Sequence, residues 1–267
     1  MTTLVQSIGD GVTITKRNLL KLWRVPDVLV FSTLSPIMFV LLFAFIFGSA
    51  IDVPGVNYRE FLMAGIFVQT VIFGATWTGA SLAEDLQKGI IDRFRSLPMS
   101  RSAVLVGRTT ADVGINIVTF VVMALTGLIV GWRIRGSALD ALFAVLLLLA
   151  FAYSISWVMA VVGLLVRTPE VVNNASFIVI FPLTFIANTF VPTGNLPGPI
   201  KWFAERNPVS SVTQAARELF GNTSPSYPAP DVWAMQHPVT YSLIWIAVIL
   251  VIFIPLAIAQ YRRAAAR

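Results

Sequence analysis

Side chains able to act chemically are concentrated in one place, the stretch from Ser81 to Arg108, SLAEDLQKGIIDRFRSLPMSRSAVLVGR, which lies between two long apolar runs. Read as a helix from Glu84 to Arg95, it sets Leu86, Ile90, Ile91 and Phe94 on one side and Glu84, Lys88, Asp92 and Arg95 on the other. An apolar stripe rimmed by charges of both signs suits recognition rather than bond-making. Glu84, Asp85, Lys88, Asp92, Arg93 and Arg95 would each cost roughly 2.5 to 3.5 kcal/mol at a bilayer centre, so this charged island lies outside the hydrocarbon. Its stripe then needs a cover that lipid tails do not supply, either the headgroup interface or a soluble protein.

Elsewhere the chemical repertoire is thin. His237, the only histidine, stands beside Pro238 with no carboxylate or second histidine at ligand spacing, and reads as an interfacial residue rather than a metal ligand or base. The absence of cysteine excludes disulfides, thiolate metal sites, iron–sulfur clusters and thiol nucleophiles. No G-x-x-x-x-G-K-[ST], H-E-x-x-H or G-x-S-x-G occurs, so no phosphate-cradling loop of that kind and no cofactor is expected on this chain. Asp112 is the one carboxylate near an apolar run, and Arg108 one turn earlier makes it an interfacial ion pair rather than an ion-coupling acid. Polar residues inside apolar runs, such as Gln69, Thr78, Asn116 and Asn188, bond neighbouring helices; for Gln69 and Asn188 the other reading is a passage for an amphiphilic solute. Phe39 and Phe43 likewise either face such a solute or pack against lipid and helix.

The elements that must position these residues follow from composition. Hydrophobic residues make up 57% and charged residues 12% of the 267 positions, half the charge of a soluble protein, and mean hydropathy is +0.80. The fold class is all-α, a polytopic membrane protein with six transmembrane helices in a single domain over 1–267. Residues 1–25 form either an interfacial amphipathic helix (Leu4, Ile8, Val12, Leu19 and Trp23 against Lys16, Arg17, Lys21 and Arg24) or a basic flank; the order of charge and apolar core is wrong for a cleavable signal. Spans 1 and 2 fall within 29–82, as Leu29 to Ala50 and Phe61 to Leu82. The amphipathic island helix occupies 84–96, and spans 3 and 4 lie within 102–166. Span 5 covers 171–190, two short helices that dip into the membrane cover 195–221, and span 6 covers 239–261. Pro199 and Pro208 suit helix starts, and Gly221 a helix end.

Charge orients the spans. With the N-terminus inside, inner segments carry thirteen Lys and Arg against six outside, which places both termini and the island in the cytoplasm of a cell-membrane protein. The net charge of +6 and pI near 10.1 therefore reflect topology and contact with anionic lipid, not nucleic acid, for which no basic-aromatic array is present.

The order of elements, the segment EDLQKGIIDRFRSLPMSRSAVLVGRTTADV and the later FVPTGNLPGPIKWFAERNPVSSVTQAAREL together resemble the permease subunits of type 2 ABC exporters, in particular the daunorubicin-resistance type. The family's acidic residue, Gly, Arg-x-x-x-Leu-Pro and Gly-Arg are met by Glu84 or Asp85, Gly89, Arg93 through Leu97 and Pro98, and Gly107 with Arg108. Its later prolines and Asn-Pro are met by Pro192, Pro197, and Asn207 with Pro208. The resemblance implies that the island is a coupling helix gripped by a separate cytoplasmic ATPase subunit, which carries ATP and Mg2+. Leu86, Ile90, Ile91 and Phe94 would enter its groove; Glu84, Lys88, Gly89, Arg93, Arg95 and Pro98 would set register and transmit motion. It also implies a second permease chain meeting spans 1 and 5, and export of drug or lipid. Lipid-linked glycan export, or an ion-coupled or passive carrier, remain the alternatives.

Overall fold

The computed structural model describes residues 9–18, 26–46, 48, 51, 53–90, 101–166, 168–226 and 228–264. Among them no strand is formed, and Val53 and Val56 make an isolated bridge. The helices are α1 (residues 9–18), α2 (Pro26–Ile46), α3 (Tyr58–Gly74), α4 (Thr76–Gln87), α5 (Arg101–Val130), α6 (Ala138–Leu165), α7 (Pro169–Phe185), α8 (Gly198–Arg206), α9 (Pro208–Phe220), α10 (Trp233–Gln236) and α11 (Pro238–Ala264).

Four described stretches are long and apolar enough to cross a membrane: Tyr58–Gln87, Val104–Val130, Ala138–Leu165 and Pro238–Arg263. The described apolar part of α2, Thr33–Ile46, and α7 are shorter. The protein is thus a multi-pass membrane protein; α2 is 21 residues long in all, and α7, at 17 residues, is the expected crossing that falls below that length. α7 ends at Phe185, before the expected Phe190, for a local reason. Pro182 lies inside its last turn, Ile186 leaves helical geometry at ψ 53°, and the Asn207 side chain takes over the Leu183 and Ile186 carbonyls at 2.7 and 3.0 Å.

α6 is apolar on every side and accordingly sits at the centre, packed against α3, α4, α5, α7, α9 and α11. The stretch formed by α3 and α4 is the most enclosed of these four, 72% buried against 22% for α11. It is interrupted at Ala75, where Gly74 and the back-bonding of the Thr76 hydroxyl to the Phe73 carbonyl (2.7 Å) weaken the regular ladder. Where the sequence predicts an exit at Leu82 and a new helix at Glu84, α4 instead runs unbroken through Glu84 to Gln87. Charge marks the end of the apolar run, not the end of the helix.

Among the described residues, side chains form two cores. The larger joins α2, α3, α6 and α9 through residues such as Phe43, Phe67, Phe151 and Phe220. The smaller lies at the island end, where Ile14 of α1 meets Leu82, Leu105, Trp157, Leu164 and Tyr261. In α1 the burial falls on Ile14, 3% exposed, whereas Val12 of the expected stripe is 63% exposed. α1 reaches α5 closely because Gly107 has no side chain: a Cβ there would stand 2.7 Å from Ile14 and 2.9 Å from the Gly11 carbonyl.

Candidate functional site

The island begins as the last turn of α4. Glu84 and Lys88 are one turn apart and form an exposed ion pair, and the hydrogen bond from the ammonium group to Glu84 raises the Lys88 pKa. At Gly89 the backbone turns left-handed, φ +63°, a conformation that costs glycine nothing. The chain therefore leaves α4 abruptly, and Ile90 follows half-buried. Leu86 is half-buried against the chain's own inner core, so only part of its surface is open to a partner. Ile91, Arg93, Phe94, Arg95 and Pro98 lie outside the described residues.

Both legs of the island are fixed to the body. α4 crosses α6 where Gly79 meets Gly163, backbone against backbone; a methyl on Gly163 would overlap the Gly79 carbonyl. Beside that crossing the Thr78 hydroxyl donates to Asp112 Oδ2 on α5. Arg108 Nε lies 3.7 Å from Asp112 Oδ1, an ion-pair contact beyond hydrogen-bond reach, and the Asn116 amide donates to the Asp112 carbonyl at 3.0 Å. Asp112 is 4% exposed. The pair with Arg108 exists as the spacing predicts, but it is enclosed between helices instead of lying at the interface.

The expected substrate-path residues do not converge. Gln69 is buried on α3 with its Oε1 lacking a partner. Asn188 belongs to the opposite, far end: with its amide oriented to satisfy both groups, the oxygen faces Arg217 Nη1 at 3.2 Å and the nitrogen faces the Ser210 carbonyl at 3.1 Å. Phe43 is buried and stacks on Phe190 at 4.4 Å, while Phe39 stacks on Phe43 at 5.9 Å and stays exposed.

At the far end the residue that sequence reasoning passed over is Arg217. Counted there only as an outer cation, it is fully buried on α9. Its Nε donates to the Phe61 carbonyl (2.9 Å), its Nη2 to the carbonyls of Asn188 (2.5 Å) and Thr189 (3.2 Å), and its guanidinium lies 3.5 Å over the Phe61 ring. Asn207 both caps α9, accepting from Val209 N at 2.9 Å, and closes α7. Asn222 accepts from Trp132 Nε1 at 2.8 Å and donates to the Arg133 carbonyl at 2.9 Å. Arg135 grips Glu60 through Nε and Nη2, and that bond raises its pKa further. A cavity of about 20 Å³ among Asn188, Thr193, Gln214, Arg217, Asn222 and Ser224 has room for one water.

The profile of the ABC-2 type transporter family matches residues 11–220. Among curated proteins, the daunorubicin resistance ABC transporter permease protein DrrB1 of Streptomyces coeruleorubidus is 36% identical over 210 residues, 76% of this chain and 74% of the relative. The "Probable doxorubicin resistance ABC transporter permease protein DrrC" of Mycobacterium tuberculosis is 28% identical over 200 residues, covering 74% and 68%. From the same organism, the doxorubicin resistance ABC transporter permease protein DrrB is 24% identical over 206 residues, covering 77% and 70%.

Proposed function

The chain belongs to the ABC-2 type transporter family, and from that premise we propose that it is the membrane subunit of an ATP-driven exporter of hydrophobic or amphiphilic compounds. α2 and α7 complete six crossings, and both termini and the island face the cytoplasm of the cell membrane. A separate ATPase subunit, holding ATP and Mg2+, grips the island, and a second permease chain completes the path. The observation that carries this reading is the unbroken run of α4 from the enclosed centre of the molecule, past Leu82, to the charged island and its turn at Gly89. A push on the island reaches the most buried span directly. Leu86, Ile90, Ile91 and Phe94 form the gripped stripe, Glu84, Lys88, Arg93 and Arg95 its charged rim, and Gly89 and Pro98 the turns through which motion passes. The relatives' names speak of daunorubicin and doxorubicin resistance, which makes planar amphiphilic drugs the first substrates to try.

The test is reconstitution with the ABC ATPase subunit that co-purifies with this chain. Daunorubicin-stimulated ATP hydrolysis should appear in the complex and fall to the unstimulated rate in Ile90→Asp and Phe94→Asp, with folded yield unchanged. Proton-dependent daunorubicin flux by the chain alone, or stimulation indifferent to both substitutions, would overturn the reading.

A further inference from the structure

Between the island's two legs, direct packing is sparse. α4 lies along α6 and α7, but meets α5 over a short stretch only. At that meeting point sits a fully buried polar assembly in an otherwise greasy region. Thr78 is wholly buried, Asp112 is 4% and Asn116 8% exposed. On α5, Arg108, Asp112 and Asn116 follow at intervals of four, one polar stripe turned toward the inner half of span 2. Its upper member touches the helix interruption itself, since a Cβ on Gly74 would stand 3.2 Å from Asn116 Oδ1. A carboxylate is a costly group to enclose at this depth, and packing alone would be served as well by an apolar residue.

We infer that the Thr78–Asp112 bond, steadied by Arg108, is a strut that makes α4 and the start of α5 one rigid lever below the interruption at Ala75. With the strut in place, a displacement of the island moves both legs together and is felt at Ala75. Without it, α4 slides along its glycine crossing with α6 while α5 stays behind, and hydrolysis proceeds without transport. Thr78 and Asp112 are positioning residues: neither touches solute, nucleotide or the gripped stripe. The inference rests on the reading of the island as the coupling element.

Two measurements on the full chain test it. In the reconstituted complex, Thr78→Val should keep basal ATP hydrolysis and lower daunorubicin transported per ATP by roughly tenfold, the value of one hydrogen bond to a charged acceptor. Thr78→Ser, which restores the hydroxyl, should restore the ratio. A Thr78→Val complex as tightly coupled as the parent overturns the strut, whereas a parent complex with no stimulation counts against the coupling reading instead. The second measurement needs no ATPase. Because the chain lacks cysteine, spin labels at Lys88→Cys and Thr110→Cys, both exposed, report the separation of the legs alone. One narrow distance is expected for the parent and for Thr78→Ser, and a broadened distribution for Thr78→Val. An unchanged distribution in Thr78→Val removes the strut whatever the ATPase does.

Discussion

The far end and the island end of the molecule are held together by different forces. At the far end, side chains bond across elements to backbone groups: Arg217 to three carbonyls, Asn207 to two, Asn222 to Arg133, and Tyr58 to Phe190 at 3.0 Å. Such bonds are directional and, once buried, expensive to leave unmade. At the island end, the joints among the described residues are apolar contacts around Ile14, Leu82 and Trp157, two glycine crossings, and the cross-element side-chain bonds of Thr78 to Asp112 and of Thr15 to the Gly107 carbonyl at 3.2 Å. Contacts of that kind tolerate sliding. The far end is built to keep one geometry, and the island end leaves its helices free to shift.

The contrast can be broken by substitution, most severely at Arg217. Arg217→Leu leaves the Phe61, Asn188 and Thr189 carbonyls without their donor, a loss of about 3 kcal/mol; a marked fall in detergent melting temperature and folded yield should follow, equal with and without nucleotide. A variant that melts like the parent would mean that the far end is not the rigid one. Gly107→Leu drives a side chain into Ile14 and the Gly11 carbonyl, an overpacking cost of about 1–3 kcal/mol. Here the damage should be local: faster amide exchange across residues 9–18, with the far end still protected. Exchange rising at both ends would erase the distinction drawn between them. Lys88→Ala, which removes an exposed ion pair, should leave the melting temperature unchanged; any measurable drop would give the rim a structural role that the geometry denies it.

Much of this architecture is legible in the sequence because its signals are local. Pro208 and Gly221 bound α9 as their backbone preferences require, Gly221 at φ +72°, and the apolar runs mark α5, α6 and α11 to within a few residues. What escaped reading depends on partners distant in sequence. Arg217 is one outer cation until the fold brings it the carbonyl of Phe61, 156 residues away. Asp112 shows its neighbour Arg108 by spacing, yet Thr78, its hydroxyl donor 34 residues earlier, looks like any polar residue of a span. Ile14 stands off the expected stripe, and only the bare backbone at Gly107 explains why it, rather than Val12, is buried. The continuation of α4 to Gln87 was hidden because the onset of charge at Glu84 reports where lipid ends, not where the helix does.

The central claim is that an ATPase subunit holds the island, and a photo-reactive amino acid at Ile90 tests it most directly. In the reconstituted complex, illumination should link this chain to the ATPase subunit, with a yield that changes when ATP is trapped. Crosslinks to lipid alone, with the ATPase present and active, would contradict the account.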